Sequence, residues 1–190
     1  MTTLAPTIYN RALPRVSERL RDITLVLLGS WLIALFAQVE IPLPFSPVPI
    51  TGQTFAVLLV GALLGSKRGA AAMLAYIAQG AAGLPFFAGG ASGFGILTGA
   101  TAGYLAGFIA AAYVVGLLAE RGMERSFKTS IAPFLAGTLI IYVFGVAWLG
   151  VVVGSVGKAV ELGLLPFVIG DAVKLVAAAV ALPSAWKMVR

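Results

Sequence analysis

Apolar runs long enough to cross a lipid bilayer follow one another along almost the whole chain. A helical span needs roughly 17–25 apolar residues, and residues 23–39, 131–154 and 165–186 meet that requirement. Only 11% of the 190 residues are charged, whereas a soluble domain carries roughly 25%. Such a chain has too few charged side chains to form a fully hydrated surface. We therefore predict an integral membrane protein.

The breaks between the apolar runs predict an all-α bundle of six transmembrane helices. Prolines and glycines mark these breaks, because proline removes a backbone donor and glycine favours turns. The hairpin between the second and third helices is predicted to turn at Lys67 and Arg68. The predicted helices cover residues 23–39, 53–66, 69–83, 95–119, 131–154 and 165–186.

The basic residues predict the orientation of the bundle. Eleven of the 13 Lys and Arg residues fall in residues 1–22, at 67–68, in the 120–130 loop or at the C-terminal end. The positive-inside rule assigns these regions to the cytoplasm, so residues 1–22 form a cytoplasmic segment and both termini are cytoplasmic. The apolar loops 40–52 and 84–94, whose one charged residue is Glu40, then lie outside, where we expect them to fold back as a lid.

Several classes of function are excluded by what the chain lacks. It has no cysteine and no histidine, so the commonest nucleophiles, general bases and metal ligands are missing. The basic residues do not form a stripe with interleaved aromatic residues, as a nucleic-acid site requires. We predict no catalytic residue, no metal site and no nucleic-acid partner. The lipid bilayer is a sufficient partner for the positive charge.

Asp171 and Lys174 are the strongest candidates for a functional site. They lie three positions apart in the sixth predicted helix, so they share one helix face. A charge near the bilayer centre costs about 2.5–3.5 kcal/mol, so the pair must point into the bundle. A structural ion pair is the simpler interpretation, but ionisable residues within membranes usually mark a substrate or ion pathway.

Three further features are weaker candidates. Gln79 either forms an interhelical hydrogen bond or offers a donor and an acceptor to a ligand. The fourth predicted helix carries a glycine ladder, one glycine every four residues at 95, 99, 103 and 107. This spacing favours close packing of a neighbouring helix; alternatively, it leaves room for a flat ligand, with Tyr104 closing one side. Ser30 and Ala34 form a small-residue pair that either packs within the bundle or provides a docking surface for another membrane subunit.

Four motifs resemble those of the BioY family, the biotin-specific substrate-binding components of energy-coupling-factor transporters. They are PVPITGQTF at 47–55, GLPFFAGG at 83–90, GYLAGF at 103–108 and PFVIGDAVK at 166–174. The resemblance covers roughly residues 20–188. It implies six helices, high-affinity capture of biotin near the outer face, and a cell-membrane location. It makes residues 23–190 a substrate-binding domain, with a transmembrane coupling protein and two ATPase subunits as partners.

The resemblance also suggests how a ligand would be held. Biotin is the transported ligand and no cofactor is expected. Asp171 would accept the ureido N–H groups and Lys174 would donate to the ureido carbonyl; in the alternative pose Lys174 holds the carboxylate. The remaining predicted binding residues are Gln79, Tyr104, Phe86, Phe87, Phe45 and Thr51.

Other functions compete with biotin uptake. Thiamine and riboflavin are alternative ligands, and both favour pockets lined by tryptophan. An intramembrane enzyme acting on lipid would have only Asp171 and Lys174 for its chemistry. A scaffold that anchors other membrane proteins would have no use for a buried charged pair.

Overall fold

The computed structural model describes residues 3–189, most of which are helical. A two-residue antiparallel pair, β1 (Glu40–Ile41) with β2 (Ile50–Thr51), interrupts the helices. Short 3-10 turns precede α5, α6 and α8. The helices are α1 (Leu4–Ala12), α2 (Glu18–Ala37), α3 (Gln53–Leu64), α4 (Ser66–Ala81), α5 (Ala102–Glu120), α6 (Phe127–Val153), α7 (Val156–Gly163) and α8 (Val168–Val189).

The prediction of a multi-pass membrane protein is confirmed. Four helical stretches are long and apolar enough to cross a membrane: Glu18–Ala37, Ala102–Glu120, Phe127–Val153 and Val156–Lys187. The helix Gln53–Leu64 is apolar but shorter. Each predicted helix has a counterpart, but length and hydropathy do not confirm six crossings.

Two helices lie where the sequence analysis predicted no helix. α1 occupies part of the predicted N-terminal segment, and its Leu4 is buried in a core cluster with α3, α5, α6 and α8. α7 occupies the predicted 155–164 loop. It starts there because α6 ends at Gly154 with φ +72°, and the Ser155 hydroxyl then accepts a hydrogen bond from Lys158 N at 3.4 Å.

The turn between α3 and α4 lies at Gly65, not at Lys67 and Arg68 as predicted. Gly65 has φ +86°, a conformation that favours glycine. The Glu120 carboxylate accepts from the backbone N and the hydroxyl of Ser66, at 2.7 and 2.9 Å. The N-terminus of α4 is thus held by the end of α5, and helix α4 begins before the two basic residues.

Helix α5 begins seven residues later than the predicted start at residue 95, at Ala102. Gly95 and Gly99 therefore do not belong to a glycine ladder along one helix. Gly103 and Gly107 do: α6 packs so closely on them that added side chains would contact Phe144 and Trp148 or Ile141. This close approach of α5 and α6 supports one wall of the site described below.

The hairpin of β1 and β2 lies at the same end of the bundle as the segment that follows α4. The Gln38 side-chain amide N lies 3.3 Å from Phe87 O and 3.0 Å from Ala34 O. The Ser46 hydroxyl donates to Leu162 O at 2.7 Å. These contacts fix both loops over the ends of the long helices, as the lid prediction requires.

Candidate functional site

A cavity of about 270 Å³ lies between the hairpin, the 84–94 loop and the helices α3, α5, α6 and α8. This volume is close to the lower end of the range of about 300–1,000 Å³ that is usual for small-molecule sites. Apolar side chains make up most of the wall, among them Val48, Phe87, Leu105, Phe108, Ile141 and Phe167. The polar lining residues are Glu40, Thr51, Gln53, Thr54, Thr101, Tyr104, Tyr142, Asp171 and Lys174.

Asp171 and Lys174 form an ion pair in the wall of this cavity. Lys174 Nζ lies 2.9 Å from Asp171 Oδ1, and Asp171 is 6% exposed. Thr54 Oγ1 donates to the same carboxylate oxygen at 3.0 Å, and the Tyr142 hydroxyl donates to Oδ2 at 2.6 Å. Three helices therefore hold the carboxylate in one orientation beside an open space.

All three N–H donors of Lys174 are engaged within the protein. Besides Asp171 Oδ1, they reach Thr51 O at 2.7 Å and Thr54 Oγ1 at 3.0 Å. Because an ammonium group has three donors, a ligand would have to displace one of these bonds to bind Lys174. Asp171 differs, because within the described part of the chain Oδ2 accepts from Tyr142 alone and keeps a lone pair for a ligand donor.

A second polar group lies where the hairpin meets α3. Gln53, which is 7% exposed, donates through Nε2 to the Tyr76 hydroxyl at 2.6 Å. Its Oε1 accepts from the Thr51 hydroxyl at 3.1 Å. A primary amide carries two N–H donors, so one remains for a ligand carbonyl. The cavity therefore offers both a free acceptor and a free donor.

Two of the predicted aromatic residues form part of the cavity wall. Phe87 is buried and packs edge-on against Tyr76, with ring centroids 5.6 Å apart and an interplanar angle of 88°. Tyr104 is 8% exposed, and its hydroxyl donates to Gly163 O at 2.7 Å. The Tyr104 hydroxyl is thus engaged, so its ring is the part that a ligand would contact.

Five of the predicted binding residues line one cavity, and three do not. Asp171, Lys174, Tyr104, Phe87 and Thr51 are brought together.

Phe45, Phe86 and Gln79 lie elsewhere in the structure. Phe45 is 60% exposed at the hairpin, and Phe86 lines a lateral groove. Gln79 connects α4 to α2, because it accepts from Trp31 Nε1 at 3.1 Å and donates to Ser30 Oγ at 3.0 Å. Its interhelical interpretation therefore fits the structure better than ligand binding.

The predicted docking pair is largely covered by the chain itself. Ser30 is fully buried and bonded to Gln79, and Ala34 is 6% exposed at the floor of the lateral groove. Neighbouring residues on α2 present more surface, with Trp31 58% and Leu35 65% exposed. Ser30 therefore packs within the bundle, and a membrane partner would meet Trp31 and Leu35 before Ala34.

Comparison with known proteins decides the family. The sequence model of the BioY family matches residues 9–190. The chain belongs to the BioY family. It is 43% identical over 155 residues to the biotin transporter BioY of Thermotoga maritima, which covers 82% of this chain and 85% of that protein. It is 36% identical over 167 residues to the biotin transporter BioY of Rhizobium etli, covering 84% and 89%.

A solved structure confirms the fold of this BioY-family chain. The crystal structure of the S-component for biotin from an ECF-type ABC transporter superposes with a TM-score of 0.80. The match covers 90% of this chain and 95% of that one, at 24% sequence identity. The resemblance predicted from four motifs is therefore confirmed.

Sequence reasoning missed five polar residues that line the BioY cavity: Glu40, Gln53, Thr54, Thr101 and Tyr142. Gln53 and Thr54 stand in the first family motif and had a signal, since only Gly52 separates them from Thr51. Glu40 had a weaker signal, because it is the acidic residue in an otherwise uncharged loop. Tyr142 lies in a long apolar run with no polar neighbour, but a tyrosine at mid-span usually needs a hydrogen-bond partner when buried.

Proposed function

We propose that this chain is the biotin-binding membrane subunit of an energy-coupling-factor importer. It captures biotin from the outer face and delivers it inward when partner subunits hydrolyse ATP. The observation that carries the proposal is the pair of buried Asp171 and half-buried Lys174, which lines a cavity instead of facing lipid. Membership of the BioY family supports biotin as the ligand. The chain itself is not an enzyme.

The hydrogen-bonding groups of biotin match the free donor and acceptor of the cavity. Its ureido ring has two N–H donors and one carbonyl, and the rest of its bicyclic ring is apolar. Asp171 Oδ2 would accept an N–H in a charge-assisted bond, which is the stronger kind in a dry site. Gln53 would donate its second N–H to the carbonyl. Phe87, Tyr104 and Phe108 would enclose the apolar ring.

The alternative vitamins fit this site less well. Pockets for thiamine or riboflavin were expected to contain tryptophan, and in the described part of the chain no tryptophan lines the cavity. Trp31 and Trp148 are partly exposed, and the Trp186 indole donates to Glu124 at 3.0 Å. The three tryptophans therefore serve helix contacts and the lipid-facing surface.

The finer organisation is also part of the proposal. The chain crosses the plasma membrane six times with both termini in the cytoplasm, because eleven of its 13 basic residues then lie inside. Helices α3 and α4 would cross as a short hairpin, with α1 lying at the inner surface. A transmembrane coupling protein with two ATPases would dock on the lipid-exposed side of α2, next to Ala34.

The molecule retained by the purified protein tests this function. The full chain is purified in detergent from cells grown with biotin, thiamine and riboflavin, then denatured, and the released small molecules are identified by mass spectrometry. We expect biotin at close to one equivalent. Retention of thiamine or riboflavin instead, or of no vitamin together with no binding of added biotin, would reject the proposal.

A further inference from the structure

The cavity wall carries more negative than positive charge, and the proposed function gives no role to the excess negative charge. Asp171 and Lys174 neutralise each other, and the third charged lining residue is Glu40. Among residues 3–187, the Glu40 carboxylate has no hydrogen-bond partner and no ion pair within 4.0 Å. The cavity wall therefore carries one uncompensated negative charge.

Glu40 stands where the two loops that cover the cavity meet. It begins β1 and pairs with Thr51, whose carbonyl accepts from Lys174. Its carboxylate lies beside Gly89: a Cβ added there would be 2.7 Å from Glu40 Oε2. Gly89 belongs to the turn Ala88–Gly90, and Ala88 also lines the cavity. Glu40 thus lies at the boundary between the hairpin and the 84–94 loop, called the seam below. The tail of a bound ligand would pass out of the cavity at this seam.

This arrangement bears on the carboxylate of biotin. A carboxylate placed at Lys174 would have to displace Thr51 O, Thr54 Oγ1 or Asp171 from a fully engaged ammonium group. Elsewhere on the described wall no other basic residue is present. A carboxylate left at the seam would meet Glu40, and like charges about 4 Å apart repel even in water. The described wall thus offers the ring a free acceptor at Asp171 and a free donor at Gln53, and offers the acid no free cation.

We propose that the cavity recognises the uncharged ring of biotin and that Glu40 selects against its free carboxylate. The favoured ligands are biotin amides, in which the carboxylate is replaced by an uncharged amide. Amides whose tail ends in a cationic amine are favoured most. This inference rests on the proposed function, since it assumes that the biotin ring occupies the cavity. It extends the substrate range to biotin conjugates, with Glu40 as the specificity-determining residue.

The test compares three ligands on the purified full chain by competition with labelled biotin. The ligands are biotin, its primary amide and its ethylenediamine monoamide, whose tail is cationic. We expect the primary amide to bind about threefold more tightly than biotin, and the cationic amide about fivefold more tightly than the primary amide. In Glu40→Gln the preference for the cationic amide disappears, and biotin itself binds about fivefold more tightly.

Glu161→Gln is the matched control, because Glu161 is an exposed acid on α7 that does not line the cavity. It should keep the wild-type order of the three ligands. Biotin binding as tightly as its primary amide or more tightly would overturn the inference, as would a cationic preference that persists in Glu40→Gln. In both cases biotin still binds, so the proposed function survives. No binding of any of the three would overturn both.

Discussion

At the scale of single residues, the arrangement around Asp171 determines what the site can do. An isolated charge at mid-membrane depth costs about 2.5–3.5 kcal/mol, and here the carboxylate accepts from Lys174, Thr54 and Tyr142 at 2.6–3.0 Å. These donors compensate the charge and also fix the plane of the carboxylate. The remaining lone pair of Oδ2 is thereby aimed into the cavity before any ligand arrives.

Replacing Tyr142 by phenylalanine tests this positioning. The change removes the 2.6 Å bond to Asp171 Oδ2 and leaves the ring in place. Hydrogen bonds to charged groups contribute roughly 1.5–3 kcal/mol, and we expect part of this in ligand binding, as an affinity for biotin about five- to tenfold weaker by calorimetry.

Tyr113→Phe is the control for that measurement. Tyr113 also lies in a long helix but is 45% exposed and lines no part of the cavity, so its loss should leave the affinity unchanged. An unaltered affinity in Tyr142→Phe, or an equal loss in both variants, would show that Tyr142 does not position the carboxylate.

The residue scale also shows which site members a sequence can reveal. Asp171 and Lys174 were predictable because two charged residues in an apolar helix must face the bundle interior and not the lipid. Gln79 was predicted as a binding residue because it is also polar and lies within a span, but it lies outside the cavity. An amide within a span readily forms hydrogen bonds between helices, and Gln79 bonds to Trp31 and Ser30. Tyr142 was not predictable, because its partner lies 29 residues away.

At the scale of elements, helix α2 is fastened to the loop that closes the cavity. The Gln38 side-chain amide lies 3.0 Å from Ala34 O and within 3.3–3.4 Å of the carbonyl oxygens of residues 85–87. Phe87, at the end of that loop segment, is buried in the cavity wall. Movement of α2 would therefore be transmitted to the wall of the ligand site.

Gln38→Leu tests this connection through the kinetics of binding. Loss of neutral hydrogen bonds worth about 1 kcal/mol should let the loop open more often, so biotin should dissociate about fivefold faster. The measurement is the release of labelled biotin from the purified protein into excess unlabelled biotin.

Gln79→Leu provides the comparison, because it removes the bonds from α4 to Trp31 and Ser30 of α2 but none at the loop. It should lower the thermal midpoint without changing the release rate. Equal release rates in wild type and Gln38→Leu would rule out a fastening role for Gln38.

The presence of a helix was easier to predict than the residues at which it begins and ends. The long apolar runs of α2, α6 and α8 were located to within about five residues, because lipid exposure imposes their composition. The start of α5 and the existence of α7 were not, because they depend on local geometry: the 3-10 turn Phe94–Leu97 delays α5, and the Gly154–Ser155 junction starts α7. Hydropathy does not encode such junctions.

At the scale of the whole molecule, charge and cavity position together imply a direction. The proposed outer end contains the hairpin, the 84–94 loop and the cavity, and the basic residues cluster at the opposite end. A site open to the outside and closed towards the cytoplasm is what a capture subunit requires. The family match and the TM-score of 0.80 fit this architecture.

Because the chain has no cysteine, its topology can be measured with single introduced thiols. Lys158→Cys on α7 should react with a membrane-impermeant maleimide in intact cells. Lys128→Cys, at the start of α6, should react only after permeabilisation. The opposite pattern would invert the proposed orientation, and labelling of both in intact cells would contradict a membrane-embedded bundle.

Titration of biotin into purified wild type and Asp171→Asn by calorimetry tests the central claim most directly. The variant keeps the shape of the side chain but loses the charge that would accept the ureido N–H and that pairs with Lys174. We predict an affinity at least tenfold weaker, about 1.4 kcal/mol. The control Glu18→Gln, which changes an exposed acid at the start of α2, should leave the affinity unchanged. Equal affinity in wild type and Asp171→Asn would show that biotin does not bind at this ion pair.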